Sequence, residues 1–322
     1  MGKIDISGAK RPTRGPVAGT SHPLSAAWEK RVPPAAQRRR FIRRRIFMAM
    51  RDTPVNPVRT GISDVGAMTH EIKEFVLGMG ADAVGVAEYD PRFSFEGAET
   101  VPHRFIIVFA MVMKYDVMAD VGAASQDEVH RVYNALDALG ISLTHNIGAY
   151  GYGARLQPND GEIPLIPYAW LAGLGELGKH GSLISPRLGS SFRLSAVSTD
   201  LPLAADGPQD YGIDEVCMRC TVCSRFCPGE AIGNEKQEAC GVVRWRINTP
   251  ACEPYFHRLY GCKLCLMVCP FNAKGLFRDR FKPMAKDLVA AKDAKGLLRL
   301  IGERNGEDLM GDPMIPPANP GS

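Results

Sequence analysis

The sequence predicts an α+β fold, in which a layered core of alternating helices and buried strands is followed by a small cysteine-rich module. Two observations predict it. Between residues 68 and 201 the apolar residues switch repeatedly between helical and strand periodicity. All nine cysteines of the 322-residue chain fall between Cys217 and Cys269. A hydrophobic content of 45% supports one full core with room for an appended unit. The net charge of +4 is modest and gives little support for a nucleic-acid surface. The longest apolar run, Phe105 to Met113, has nine residues, which suits a buried strand and is too short for a spanning helix.

Residues 1–64 are rich in Pro, Gly, Ser and Arg and read as an extended, partly disordered basic arm with a short helical patch near 35–50. The run from Arg38 to Arg45 places Phe41 and Ile42 after paired arginines, as a twin-arginine export signal does. The segment Ile46 to Met50 is followed at once by Arg51, Asp52 and Pro54, so the apolar stretch such a signal needs is absent. A solvated basic helix or a docking surface is expected instead, in a cytoplasmic protein.

Residues 65–206 form the predicted core. Ile72, Phe75, Val76 and Met79 recur at helical spacing, and Gly80 to Ala87 turns into a strand. Phe105 to Met113 gives a central strand. Asp127 to Leu143 gives a long helix with Val129, Val132, Leu136, Leu139 and Leu143 on one face. Further helix is predicted over Tyr168 to Leu174, and a strand over Arg193 to Ser198. The cysteine-rich module spans 207–280. Residues 281–322 read as a C-terminal helix over Met284 to Ile301 and a loose tail from Gly311.

Gly173-Leu174-Gly175-Glu176-Leu177-Gly178 satisfies the G-x-G-x-x-G pattern of dinucleotide sites. That pattern needs a strand before it and a long helix after it. Here Pro164 and Pro167 precede it and Lys179-His180-Gly181 follows, so no nicotinamide site is expected.

Eight of the cysteines spell two runs: Cys217, Cys220, Cys223 and Cys227 before Pro228, then Cys252, Cys262, Cys265 and Cys269 before Pro270. Short gaps gather three thiolates around one [4Fe–4S] cluster, and the cysteine before proline crosses to the other cluster. One cluster is thus assigned Cys217, Cys220, Cys223 and Cys269; the other takes Cys252, Cys262, Cys265 and Cys227. Structural zinc has no use for the third closely spaced cysteine, and disulfides need an oxidising compartment. Cys240 is left over. It could replace Cys252 as a ligand, although Cys252 sits closer to the second run; otherwise it is an ordinary buried thiol.

Several blocks occur in one order: Gly80-Ala81-Asp82-Ala83-Val84-Gly85, the helix bearing Tyr133, Ala172 through Pro186, Gly189, Arg193, Thr199-Asp200-Leu201-Pro202-Leu203, Trp245 and the cysteine runs. Over roughly residues 65–280 this set resembles the catalytic core of the reductive dehalogenases. The epoxyqueuosine reductases share the glycine block and both cysteine runs and are the alternative. The resemblance implies a nitroreductase-like, corrinoid-binding core followed by a ferredoxin-like module with two [4Fe–4S] clusters. Its implied cofactor is cobalamin, and no Asp-x-His-x-x-Gly segment supplies a lower histidine ligand.

The implied reaction is R–X to R–H on a small-molecule organohalide. Tyr133 matches the proton donor and Arg193 the basic side chain that stabilises its anion. Asn159 sits where relatives carry a polar group near the substrate, and Gly173, Gly175, Gly178 and Lys179 fall in the shared cofactor-binding block. A tyrosine ordinarily titrates near 10, so a neighbouring guanidinium that favours the phenolate makes proton release easier. Arginine suits that place because it stays charged when buried.

Lys179 stands where dehalogenases commonly have arginine. Epoxyqueuosine reductases carry Asp-Ser-Ala-Pro with a proton-donating aspartate, whereas Asp160-Gly161-Glu162-Ile163-Pro164 puts Gly161 at that position. The implied partner is a separate soluble electron donor of ferredoxin or flavodoxin type; nucleic acid is not expected, and the oligomeric state is open. A plain ferredoxin-like carrier without corrinoid is the remaining reading.

Overall fold

A computed structural model describes residues 4–13, 32–118, 121–272 and 299. Its centre is a four-stranded sheet in the order β1-β2-β6-β3, built from β1 (Ala83–Glu88), β2 (Phe105–Val112), β3 (Ala154–Gln157) and β6 (Phe192–Thr199). Every pairing is antiparallel, so the mixed fold is α+β with helices on both faces rather than a βαβ design. The alternation of β2 explains the layering. Phe105, Ile107 and Phe109 face one core with Met68, Ile72, Leu136 and Leu143, while Ile106, Val108 and Ala110 face a second core with Tyr168 and Ala169.

The first face is covered by α2 (Val65–Gly78) and α3 (Ala123–Ala149). Asp64 caps α2, its carboxylate accepting the Ala67 N–H at 2.9 Å. The long helix α3 outruns the predicted Asp127 to Leu143 at both ends, because Ser125, Gln126 and Ile147 are buried as well. Helix α4 (Leu165–Leu171) covers the second face and begins three residues before the predicted Tyr168. Pro164 stands at its N-cap and Gly173, at φ +70°, ends it.

The glycine block then runs into a hairpin of β4 (Glu176–Leu177) and β5 (Leu183–Ile184). Helix, glycines, hairpin is not the strand, turn, helix order of a dinucleotide site. A side chain at Gly175 would collide with the Ile184 carbonyl, which gives that glycine a packing reason.

The N-terminal arm is seated on the molecule where it is described. Ile4 and Ile6 pack into the apolar clusters, and the Lys10 N–H donates to the Cys240 carbonyl at 2.7 Å. Helix α1 (Pro34–Phe41) continues directly into a π-helix, Ile42–Phe47.

The cysteine-rich part contains α5 (Ile213–Arg219), a hairpin of β7 (Gln237–Ala239) and β8 (Val242–Arg244), and α6 (Thr249–Arg258). Several contacts fasten it to the core, two of them from residues near the second cysteine run. The Lys263 ammonium donates to Ser125 Oγ at 2.8 Å at the start of α3. Asn272 accepts the Ser190 N–H at 2.8 Å and donates back to Ser190 Oγ at 2.9 Å, just before β6. The helix expected over Met284 to Ile301 lies outside the described residues except for Arg299, as does the tail from Gly311. Among the described residues no helix is long and apolar enough to cross a membrane.

Candidate functional site

Tyr133 lies midway along α3 and Arg193 on β6, whose odd-numbered residues face that helix. The Arg193 guanidinium stands 5.4 Å from the centre of the Tyr133 ring. A second guanidinium, that of Arg43, is closer, at 4.6 Å. No motif or spacing in the chain points to it. Arg43 comes from the π-helix, and it corrects the expectation of a solvated basic helix: Arg40 and Arg43 are buried, while Arg38, Arg44 and Arg45 stay exposed. A π turn takes an extra residue and shifts the phase at which side chains emerge. Here that shift accompanies an arginine turned inward against α3.

Arg43 is anchored by carboxylates. Its Nε donates to Asp137 at 2.6 Å and its other arm reaches Asp160 at 3.4 Å. Asp137 also accepts from Ser195 Oγ at 2.9 Å. Burial raises the Asp137 pKa, and the Arg43 charge opposes that rise. His130, one turn before Tyr133, is held neutral: burial first, then Arg40, Arg43, Arg193 and Arg44, lower its pKa to about 3. Asn159 is exposed on the turn closed by the Gly161 N–H on the Pro158 carbonyl, and it is the adjacent Asp160 that reaches toward Arg43.

Around Tyr133 several buried polar atoms have no hydrogen-bond partner among the described residues: both amide atoms of Gln126, His130 Nδ1, Asn134 Nδ2 and Arg193 Nε. Residues 126, 130 and 134 follow one another four apart on α3, so they share a face. Buried polar groups are normally satisfied, and such a concentration marks a surface that is polar and incomplete as it stands.

The cysteines gather as two quartets. Cys217, Cys220, Cys223 and Cys269 line one cavity, together with Lys179, His180, Ile184 and Phe271. Cys227 and Cys252 both act on Cys262, and Cys227, Cys252 and Cys262 all act on Cys265, which places these four near one another, with Cys223 of the first quartet next beyond them. Burial, and then the neighbouring thiols, push Cys223 up to about 12. Burial pushes Cys262 up to about 12 and raises Cys265 well above the ordinary thiol value. Burial of this kind favours the neutral thiol, and a bound cation favours the thiolate.

Backbone N–H groups already point at sulfur: Lys179 to Cys217 at 3.5 Å and Ala231 to Cys227 at 3.2 Å. Among the described residues no three His, Cys, Asp or Glu side chains converge closely enough to hold a single metal ion. A four-iron cube differs in that each thiolate binds its own iron, which keeps the four sulfurs farther apart.

Cys240 joins neither quartet. It occupies the two-residue β7–β8 turn at φ +55°, followed by Gly241 at φ +77°. Half-buried, it lines a separate apolar cavity of about 290 Å³ with Phe93, Ile166 and Trp170. The reading of Cys240 as an ordinary buried thiol is thus corrected, because a tight hairpin turn holds it at the surface of that cavity. Tight turns are invisible in cysteine spacing.

The hairpin loop between β4 and β5 brings Lys179 and His180 to the first quartet, closed by Gly178 N–H to the Ser182 carbonyl at 2.8 Å. Helix α5, which carries Cys217, is held at its start by Glu176, whose carboxylate accepts the Ile213 N–H at 2.6 Å. Trp245 donates its indole N–H to Asp214 at 2.8 Å and lies under the Lys179 ammonium, 4.9 Å away. Gly173 lines another cavity, of about 460 Å³, with His70, Lys73 and Arg187.

No family model matches the chain. Among curated proteins it is 27% identical over 238 residues to a tetrachloroethene reductive dehalogenase of Desulfitobacterium hafniense, covering 70% of this chain and 43% of that protein. It is 36% identical over 134 residues to the trichloroethene reductive dehalogenase of Dehalococcoides mccartyi, 39% of this chain and 23% of that one. An epoxyqueuosine reductase of Lactococcus garvieae is 32% identical over 169 residues, half of this chain and 46% of that one. The chain therefore spans less than half the length of these curated relatives. Among solved structures, the catabolic reductive dehalogenase NpRdhA in complex with 3-bromo-4-hydroxybenzoic acid aligns with a TM-score of 0.74 at 24% identity, covering 94% of this chain and 48% of that one. The likeness establishes a shared fold.

Proposed function

We propose that this chain, a relative of the reductive dehalogenases, is the catalytic part of a cobalamin- and [4Fe–4S]-dependent oxidoreductase that replaces a carbon-bound halogen with hydrogen. The observation that carries the reading is Tyr133, with two guanidiniums over its ring, on a half-buried face with several unpartnered polar atoms. In balance, R–X takes up two electrons and one proton and gives R–H and halide. The corrinoid, when bound, supplies the strongly reducing cobalt centre for this chemistry. Tyr133 supplies the proton. Arg193 and Arg43 are the cationic neighbours of its ring in this step, and the Asp137 and Asp160 carboxylates hold Arg43 in place.

Gln126, His130 and Asn134 are suited to the amide-bearing rim of a corrinoid, which carries both donors and acceptors. Asn159, on the exposed turn beside Asp160, is left a place at the substrate entrance. The two cysteine quartets fit two [4Fe–4S] clusters, with Gly173, Gly175 and Gly178 shaping the loop that closes one of them. In this reading residues 65–206 are a nitroreductase-like core and 207–280 a ferredoxin-like module. The described part of the basic arm, residues 4–13, lies against both parts. A soluble cytoplasmic ferredoxin or flavodoxin is the electron donor.

The epoxyqueuosine reading is less favoured, since Asp160, the carboxylate nearest the position of that family's proton donor, is engaged with Arg43 and Arg44. Protein reconstituted with iron, sulfide and cobalamin should release halide from a haloaromatic or haloalkene under a chemical reductant. Tyr133→Phe should lower that rate by about 10²–10⁴-fold with unchanged metal and corrinoid content. Full activity in Tyr133→Phe would overturn the tyrosine's role; loaded protein that releases no halide from a broad panel would overturn the reaction.

A further inference from the structure

Lys179 is 1% exposed, yet its ammonium has neither a hydrogen-bond nor a carboxylate partner among the described residues. An isolated buried ammonium is among the most expensive groups a fold can hold, and the face of Trp245 offsets only a small part of that cost. The cavity it lines is that of Cys217, Cys220, Cys223 and Cys269.

His180 shares this wall, 2% exposed. The Ser182 N–H donates to its Nδ1 at 3.2 Å, so the lone pair is there and the ring proton sits on Nε2. That Nε2 has no partner either. Two buried donors on one wall, both without an acceptor, call for an anion in the cavity, and four thiolates with their cluster are one.

We propose that Lys179 and His180 are electrostatic tuning residues of the cluster held by Cys217, Cys220, Cys223 and Cys269, making it easier to reduce. This rests on the two-cluster reading. An electron added to a cluster deepens its negative charge, and a fixed ammonium with an N–H dipole stabilises the reduced form more than the oxidised one. Lys263, the buried lysine beside the other quartet, differs in that its ammonium is engaged by Ser125 Oγ and the Tyr260 carbonyl. The two clusters are therefore set apart by how their lysines are used.

The test is a potentiometric titration of the reconstituted protein followed by electron paramagnetic resonance, comparing wild type with Lys179→Met, Lys179→Arg and His180→Phe. Lys179→Met should weaken reduction of one cluster at least tenfold, a shift of about 59 mV to more negative potential for one electron. The second cluster should not move, Lys179→Arg should restore most of the shift, and His180→Phe should give a smaller shift of the same sign. The signal that moves should be the one that Cys217→Ser alters. Wild type without two reducible clusters would sink the two-cluster reading itself. Two intact clusters with unmoved potentials in both Lys179→Met and His180→Phe would overturn only the tuning. If Lys179→Met fails to assemble its cluster, the His180→Phe titration decides alone.

Discussion

A neutral histidine among four arginines has a consequence in acid. His130 has its pKa lowered to about 3, below the ordinary 6.5, by burial and by Arg40, Arg43, Arg193 and Arg44. Between those values the unfolded chain binds a proton that the folded chain refuses. The contribution to stability is therefore fully present above about 6.5 and is lost as the pH falls toward about 3. Unfolding midpoints measured across that window should fall more steeply for wild type than for His130→Gln; parallel slopes would show that the ring is charged or exposed in the folded state. The same ring stands one helical turn from Tyr133. Its neutrality keeps a further positive charge away from Tyr133 and leaves Nδ1 without a partner among the described residues.

At the scale of elements, the π-helix Ile42–Phe47 is the part that turns Arg43 inward. Replacing Arg43 by Met leaves Asp137 buried without its main partner, and breaking a buried pair on one side costs about 3–5 kcal/mol. Denaturant unfolding should show that loss, and Arg43→Met combined with Asp137→Leu should recover most of it, because an apolar pair carries no uncompensated charge. This element was also the least legible in the sequence. Arg38 to Arg45 look alike by composition, and only packing against α3 decides which two are buried. By contrast, β2 and the centre of α3 could be read directly, since their periodicity is local. Helix α4 begins three residues before the predicted start, with Pro164 at its N-cap. Gln126, His130 and Asn134 form a polar stripe at helical spacing, but the apolar stripe that defines the helix drew the reading to the other face. The grouping of eight cysteines into two quartets was legible because their spacing is written in the sequence; the lysine and histidine beside the first quartet are brought in by a hairpin loop that no spacing rule encodes.

Across the whole molecule, the placement of Cys240 against that of Cys252 gives a test of the division between ligand and scaffold. Cys252→Ser should reduce bound iron from two clusters to about one, while Cys240→Ser, altering only a hairpin turn beside an apolar cavity, should keep both; equal loss in the two variants would remove Cys252 from its quartet. Ser125 and Tyr133 lie on one helix, about 12 Å apart along its axis at 1.5 Å per residue. Ser125 is fastened by Lys263, next to Cys262, and Ser190, just ahead of Arg193, is fastened by Asn272, just past Cys269. The two pieces of backbone that carry Tyr133 and Arg193 are therefore each stitched to the cysteine-rich part by a residue within three positions of a cysteine. For anyone recombining these relatives, the natural-looking seam near residue 207 is a poor place to cut. A graft made there would inherit half of each stitch, and the halves would have to match before either the wiring or the acid could keep its place.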